Sequence, residues 1–228
     1  RKKDIFPLFV VSVIGTVIPA VIFAKSQMHI QSSLAGMLNG LTPIFTLIIG
    51  VLIFQKKWNT YNLIGIMIGL TGTYILIEPL NPQNTEIKYS LMVILATICY
   101  ALSINTIKEN LSSLRSIEIA SVTSTISVIG PIIYIIITGV QFNIEKITSN
   151  ISSFYYLLIL GGICTSFAII LFNFLIKRST ALFASSTTYL IPIFAVIWGI
   201  LDYEIITIIE LVGIAIILGG VFTMNLKK

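Results

Sequence analysis

The chain has 228 residues, 56% of them hydrophobic and only 10% charged, with 14 Lys and Arg against 9 Asp and Glu for a net charge of +5. A soluble domain keeps about a quarter of its residues charged, so this composition, with a mean hydropathy of +1.01, excludes a water-soluble globule. Two cysteines and one histidine are too few for a disulfide scaffold or a histidine-rich metal centre, so no metal and no cofactor is expected.

Apolar runs of about 20 residues, the length that crosses a ~30 Å hydrocarbon core as helix, recur along the chain. They occupy 5–24, 33–54, 60–77, 90–107, 117–138, 154–175, 182–201 and 206–226. Strict alternation of apolar and polar residues is absent, which argues against an outer-membrane barrel. The expected fold is all-α, a polytopic helical membrane protein.

The first span carries Ser12 and Thr16, followed by Pro19. The second holds Asn39, Thr42 and Pro43; proline removes a backbone donor, and the freed carbonyl needs a partner inside a membrane. On the third, Gly65, Gly69 and Gly72 share a face and allow close helix approach. The fourth places Cys99, Ser103 and Thr106 on one face, beside Tyr100 and Asn105. Thr165, Ser166 and Asn173 are the polar members of the sixth. The seventh carries Ser185, Ser186, Thr188 and Tyr189 before Pro192, and the eighth repeats the glycine pattern with Gly213 and Gly220.

Loop charges orient these spans. With residue 1 in the cytoplasm, the inner segments hold Arg1, Lys2, Lys3, Lys56, Lys57, Lys108, Arg115, Lys177, Arg178, Lys227 and Lys228. The outer ones hold only Lys25, Lys88 and Lys146. Short loops with this bias read as a multi-pass protein of the inner (plasma) membrane with residue 1 and the C-terminus cytoplasmic. Basic residues spread in pairs over many loops do not form a nucleic-acid-binding face.

Two strings repeat. LTPIFTLIIGVLIFQKKWN begins at Leu41 and LIPIFAVIWGILDYEIITI at Leu190, with Pro43 and Pro192 149 residues apart. Ala35 falls on Ala184, Asn39 on Thr188, Phe45 on Phe194, Gly50 on Gly199 and Gln55 on Glu204. One deletion later, Gly65 meets Gly213 and Gly72 meets Gly220. Carrying the offset back from residue 87 predicts about 60 residues, enough for two helices, ahead of Arg1. The expectation is therefore ten helices in two inverted five-helix halves, three plus five of them in this chain.

The small-residue run leading to a proline, then an apolar stretch, then a Gly-rich helix, resembles the EamA-type permeases of the drug/metabolite transporter superfamily. In the first half it reads SSLAGMLNGLTPIFTLIIGVLIFQKKW and LIGIMIGLTGTYIL; in the second, ALFASSTTYLIPIFAVIWGILDYE and LVGIAIILGGVFTM. The resemblance implies a partial first repeat over 1–80 and a second over 87–228. It further implies alternating access around a central cavity lined by 5–24, 33–54, 90–107, 154–175 and 182–201, together with one of the helices expected ahead of Arg1. Its substrates are small metabolites, amino acids and related compounds, export being one direction. The family often carries Glu after the proline helix in both halves, whereas this chain has Gln55 and Glu204.

Candidate substrate-binding residues are Asn39, Thr42, Pro43, Tyr100, Ser103, Thr165, Asn173, Ser185, Thr188, Tyr189 and Pro192. Each also has a plain reading as a kink or interhelix contact. The glycines read as packing contacts within a protomer or between protomers, which leaves a homo-oligomer open. No Asp, Glu, Lys, Arg or His falls mid-span, where ion-coupled carriers keep such a group. This points to neutral or zwitterionic solutes, or to coupling in helices outside the chain. A lipid scramblase or scaffold is the alternative. A membrane-embedded enzyme is disfavoured because no paired carboxylates or Ser–His pair can be assembled.

Overall fold

The computed structural model describes residues 2–77, 85–138 and 151–226, and among these the chain is helical throughout apart from short turns. The rods are α1 (Lys2–Ser26), α2 (Ser32–Leu52), α3 (Thr60–Ile77), α4 (Thr85–Asn110) and α5 (Ser116–Thr138). They are followed by α6 (segments Ile151–Leu158, Ile159–Thr165 and Ser166–Arg178), α7 (Ala181–Leu201) and α8 (Ile208–Asn225). Five of them, α1, α2, α4, α6 and α7, are long and apolar enough to cross a membrane, and α3, α5 and α8 contain shorter apolar stretches. Phe154, Tyr156, Ile163 and Trp198 stand exposed on the outer surface, where hydrocarbon solvates them. This is an all-α, polytopic membrane protein.

Contacts between distant residues define two ends. At one, Lys56 Nζ meets Glu109 Oε1 at 2.8 Å, Lys108 Nζ donates to the Lys177 carbonyl, and Lys177 Nζ donates to the Leu114 carbonyl. This basic end gathers residues that the charge pattern assigns to one side. At the other, acidic end, His29 stacks on Tyr89 with ring centroids 3.9 Å apart, and Glu204 reaches Ser32 and Ser33.

The sequence-repeated helices pair antiparallel. On α3 and α8, Gly65 faces Gly220 and Gly72 faces Gly213, and Asn62 Nδ2 donates to the Met224 carbonyl at 3.0 Å. A Cβ at Gly72 would sit 2.7 Å from the Gly213 carbonyl oxygen, so the glycines let two backbones touch. Gly69 turns instead toward Ile44 of α2. In a membrane, where lipid is as apolar as leucine, such van der Waals contact and interhelix hydrogen bonds hold helices together. Asn105 supplies one such bond: fully buried on α4, its Nδ2 donates to the Thr46 carbonyl of α2 at 2.9 Å.

Two apolar clusters flank the centre. The larger joins Leu38, Leu41 and Ile44 of α2 to Val93 of α4 and to Ile217 and Val221 of α8. The smaller, toward the basic end, joins Val11, Ile104, Ile107, Ile119, Ile176 and Ala184 from five helices.

Candidate functional site: a polar cavity between broken helices

Both proline helices break one turn before the proline. In α2 the Gly40 and Leu41 amides reach back only three residues, to Met37 and Leu38, and in α7 Thr187–Tyr189 is a 3₁₀ segment. The proline ring clashes with the carbonyl four residues back, and tightening the preceding turn relieves it. The Asn39 carbonyl, left without its ladder donor by Pro43, accepts the Thr42 hydroxyl at 2.8 Å. The second copy has Ile191 at the position of Thr42, so this repair belongs to the first copy alone.

A second matched irregularity is invisible in the sequence. α1 contains a π-helical turn at Val13–Val17 and α6 one at Ile159–Thr165, overlapping under the same 149-residue offset. Such turns widen a helix and cluster at functional sites. In α1 Pro19 contributes by removing a donor, but α6 has Ala168 there and keeps its π turn. Each carries a threonine at equivalent positions. Thr16 Oγ1 donates to the Val11 carbonyl at 3.4 Å and Thr165 Oγ1 to the Leu160 carbonyl at 2.6 Å, five residues back in both cases.

The 3₁₀ breaks and π turns surround one cavity of about 560 Å³. Of the residues singled out from sequence, Asn39, Thr42, Tyr100 and Ser103 line it from α2 and α4, and Thr165, Asn173 and Thr188 from α6 and α7. Pro43 and Pro192 are buried off the wall and act through the backbone they bend. Ser185 is fully buried and donates to the Leu182 carbonyl at 2.8 Å instead of facing the cavity. The Tyr189 side chain lies outside the described residues.

Sequence reasoning missed part of the wall. Thr16, named on the first span but left out of the candidate set, lines it together with Thr165, and the repeat offset was a usable signal for that pair. Thr123 brings in α5, a helix not expected to contribute, and Thr187 adds a further hydroxyl. Ile104, Ile107 and Phe172 supply the apolar surface toward the basic end.

Among the described residues the cavity's lining is uncharged: hydroxyls, two carboxamides, a phenol and aliphatic surface, with no carboxylate, ammonium, guanidinium or imidazole. Thr42, Thr123, Thr187 and Thr188 donate their protons to carbonyls of their own helices, as Thr16 and Thr165 do. Their hydroxyl protons are thus engaged, and what these oxygens keep to offer a ligand is acceptor capacity. Among the described residues no group of three or more His, Cys, Asp or Glu side chains is placed to hold a metal ion. A second hollow of about 520 Å³ at the acidic end is bordered by Gln27, His29, Glu86 and Glu210. There Glu210 is occupied as the capping box of α8, accepting from the Thr207 amide and hydroxyl.

At the acidic end Glu204 closes the space between α2 and α7. Its Oε1 accepts the Ser32 amide at 2.8 Å and its Oε2 the Ser33 amide at 3.0 Å, across 172 and 171 residues of chain. Partial burial works to raise this carboxyl, but the hydrogen bonds from Ser33 and Ser32 outweigh it and hold it below the ordinary 4.5. Alongside, a Cβ at Gly199 would meet the Ser33 Cβ at 2.9 Å, so the helices touch here.

Comparison with known proteins agrees with this architecture. The model of the EamA-like transporter family matches residues 1–78 and again 87–226. A protein of Archaeoglobus fulgidus described as an uncharacterized transporter is 23% identical over 230 residues, spanning all of this chain and 80% of that protein. A protein of Acidianus ambivalens, described as an uncharacterized transporter in the sor 3' region, is 22% identical over 227 residues, spanning all of this chain and 85% of its own length. A crystal structure sharing 12% identity superposes with a TM-score of 0.68 over 98% of this chain and 78% of that one, a likeness of fold. With nearly its whole length matched, the chain belongs to the EamA-like transporter family.

Proposed function

We propose that the protein moves a small uncharged or zwitterionic solute across a membrane by alternating access, with the 560 Å³ cavity as its binding site. One observation carries the reading: repeat-related backbone breaks, the 3₁₀ turns before Pro43 and Pro192 and the π turns of α1 and α6, converge on one polar, charge-free space. Broken helices meeting at the bilayer midplane are where inverted-repeat transporters bind their cargo. Threonine oxygens accept N–H and O–H donors, Asn39 and Asn173 offer both donors and acceptors, and the aliphatic wall covers an apolar part. A lone ion would pay a large desolvation cost in such a space.

The two halves, 1–80 and 87–228, are the moving bodies, related by inversion as the antiparallel α3–α8 pair suggests. The basic end faces the cytoplasm, because short loops rich in Lys and Arg stay inside; the membrane is the plasma membrane. Asn39, Thr42, Tyr100, Ser103, Thr165, Asn173 and Thr188 contact the solute. Gly65, Gly69, Gly72, Gly213 and Gly220 are scaffold contacts, with Pro43 and Pro192 shaping the site indirectly.

The test is reconstitution of the full-length protein in liposomes, with counterflow of labelled neutral sugars, nucleosides and amino acids against charged metabolites. Saturable flux of a net-neutral solute is expected. Flux confined to anions or cations would refute the binding chemistry. Lipid flip-flop without solute flux would favour a scramblase instead.

A further inference from the structure

The turns that end the two proline helices re-register the repeat. After α2, Gln55 takes the left-handed conformation with φ 53° and the Lys56 amide returns to the Gly50 carbonyl at 2.9 Å. After α7, Tyr203 takes it with φ 60° and the Glu204 amide returns to the Gly199 carbonyl at 2.8 Å. Gly50 and Gly199 are repeat partners, so the one-residue deletion falls inside the second turn. The structural counterpart of Glu204 is therefore Lys56, not Gln55. The left-handed residue reverses the chain, and the residue after it is aimed back across the bundle.

Both aimed residues tie one half of the chain to the other. Lys56, from the first half, pairs with Glu109 at the end of α4, in the second half, at 2.8 Å. Glu204, from the second half, takes both Ser32 and Ser33 amides at the start of α2, in the first half. One tie stands at the basic end and one at the acidic end, with the cavity between them.

We infer that Lys56 and Glu204 are a repeat-related pair of latches, each holding its own end of the cavity shut. This rests on the alternating-access reading above, because only a protein whose halves rock needs a releasable tie at each end. The chemistry makes the latches unequal. Glu204 accepts two charge-assisted hydrogen bonds from amides at a helix N-terminus, which has no other ladder partner for them and carries partial positive charge. Lys56 is half-buried and Glu109 exposed, at 31% and 41%, and pairs this open to solvent are weak and screened by salt. The acidic end is the more firmly closed, so the cavity opens by preference toward the basic end.

Access to the cavity from each side reads this directly. With Cys99 and Cys164 replaced by alanine, Ser103→Cys places a thiol in the cavity wall. The full-length protein is reacted with a membrane-impermeant maleimide in right-side-out and in inverted vesicles. Glu204→Gln and Glu204→Ala are expected to speed labelling from the acidic-end side by about tenfold, the weight of one lost charge-assisted hydrogen bond. Lys56→Gln should speed labelling from the basic-end side only, by about threefold. Glu210→Gln, whose carboxylate caps its own helix at the same surface, should change neither.

Wild-type labelling rates in a folded, monodisperse Glu204→Gln protein would overturn the inference, as would Lys56→Gln opening the acidic end. The conservative glutamine keeps the test valid if the alanine variant does not fold. Altered labelling, together with no solute flux in the protein that keeps Ser103, would support the latches and count against transport. Solute flux with labelling unaltered would sink the latches and leave transport standing.

Discussion

Gly219 and Gly220 are neighbours on α8 that differ only in the face they occupy, so alanine at each makes an internally controlled test of the α3–α8 contact. A Cβ at Gly219 meets nothing within 4 Å, whereas one at Gly220 lies 2.6 Å from both the Gly65 carbonyl oxygen and the Gly69 amide nitrogen. Both obstacles are backbone and cannot rotate away. Ordinary contact starts near 3.4 Å, so the two helices must part by about 0.8 Å, and overpacking of this kind costs about 1–3 kcal/mol. Alanine gains about 1 kcal/mol of helix propensity at either site, which cancels in the comparison. For a chain of this size the Gly220→Ala protein should therefore melt roughly 2–12 °C below Gly219→Ala. Thermal unfolding of the two purified proteins in one detergent, followed by tryptophan fluorescence, measures the difference. Equal melting temperatures, or a lower one for Gly219→Ala, would refute the close backbone contact.

Two further outcomes follow from the cavity and its closure. Thr16→Val and Thr165→Val keep shape but remove the cavity-facing oxygens, so each should raise the KM for a transported solute by about threefold to tenfold with Vmax less affected, and the corresponding serine variants should restore it; a fall in Vmax alone would place these residues in the hinge and not in contact with solute. The depressed Glu204 carboxyl keeps its tie fully formed above the unfolded-state value and loses it only as pH falls through its lowered native value, below 4.5. The ratio of acidic-end labelling of Ser103→Cys in the Glu204 protein to that in Glu204→Gln, in which thiol ionisation cancels, should thus stay flat from about pH 8 to about pH 5.5. Among the described residues the other charged or titratable side chains facing that end are Lys25, Glu86, Lys88, Asp202, Glu210 and His29; a step in that ratio within the window would contradict the assignment to Glu204.

The helices were legible because membranes impose length and apolarity: each of the eight apolar runs coincides with a rod of the structure, 33–54 and 206–226 overrunning theirs by a residue or two at an end. The prolines and their 149-residue offset also pointed to the breaks, since proline's missing donor acts locally. Asn39, Thr42 and Thr188 were found that way. Ser185 was not separable from them, because a hydroxyl donating to its own helix looks the same in sequence whether it faces a cavity or a packed interface. The π turns left no trace: VIGTV and ILGGICT share little beyond glycine and threonine, and an extra residue per turn does not alter composition. Thr123 was missed because its face of α5 is set by contacts with distant helices. The partner of Glu204 lies about 170 residues away, so only the folded chain reveals that Lys56 is its counterpart.

The central claim is that the charge-free cavity between the broken helices carries solute. It is tested most directly by flux through proteoliposomes containing Asn39→Ala, in the cavity wall, compared with Met67→Ala, 61% exposed on the outer face of α3. The account predicts that Asn39→Ala cuts saturable flux of a net-neutral solute by about tenfold while Met67→Ala transports like the wild type. Equal flux in the two variants would contradict it.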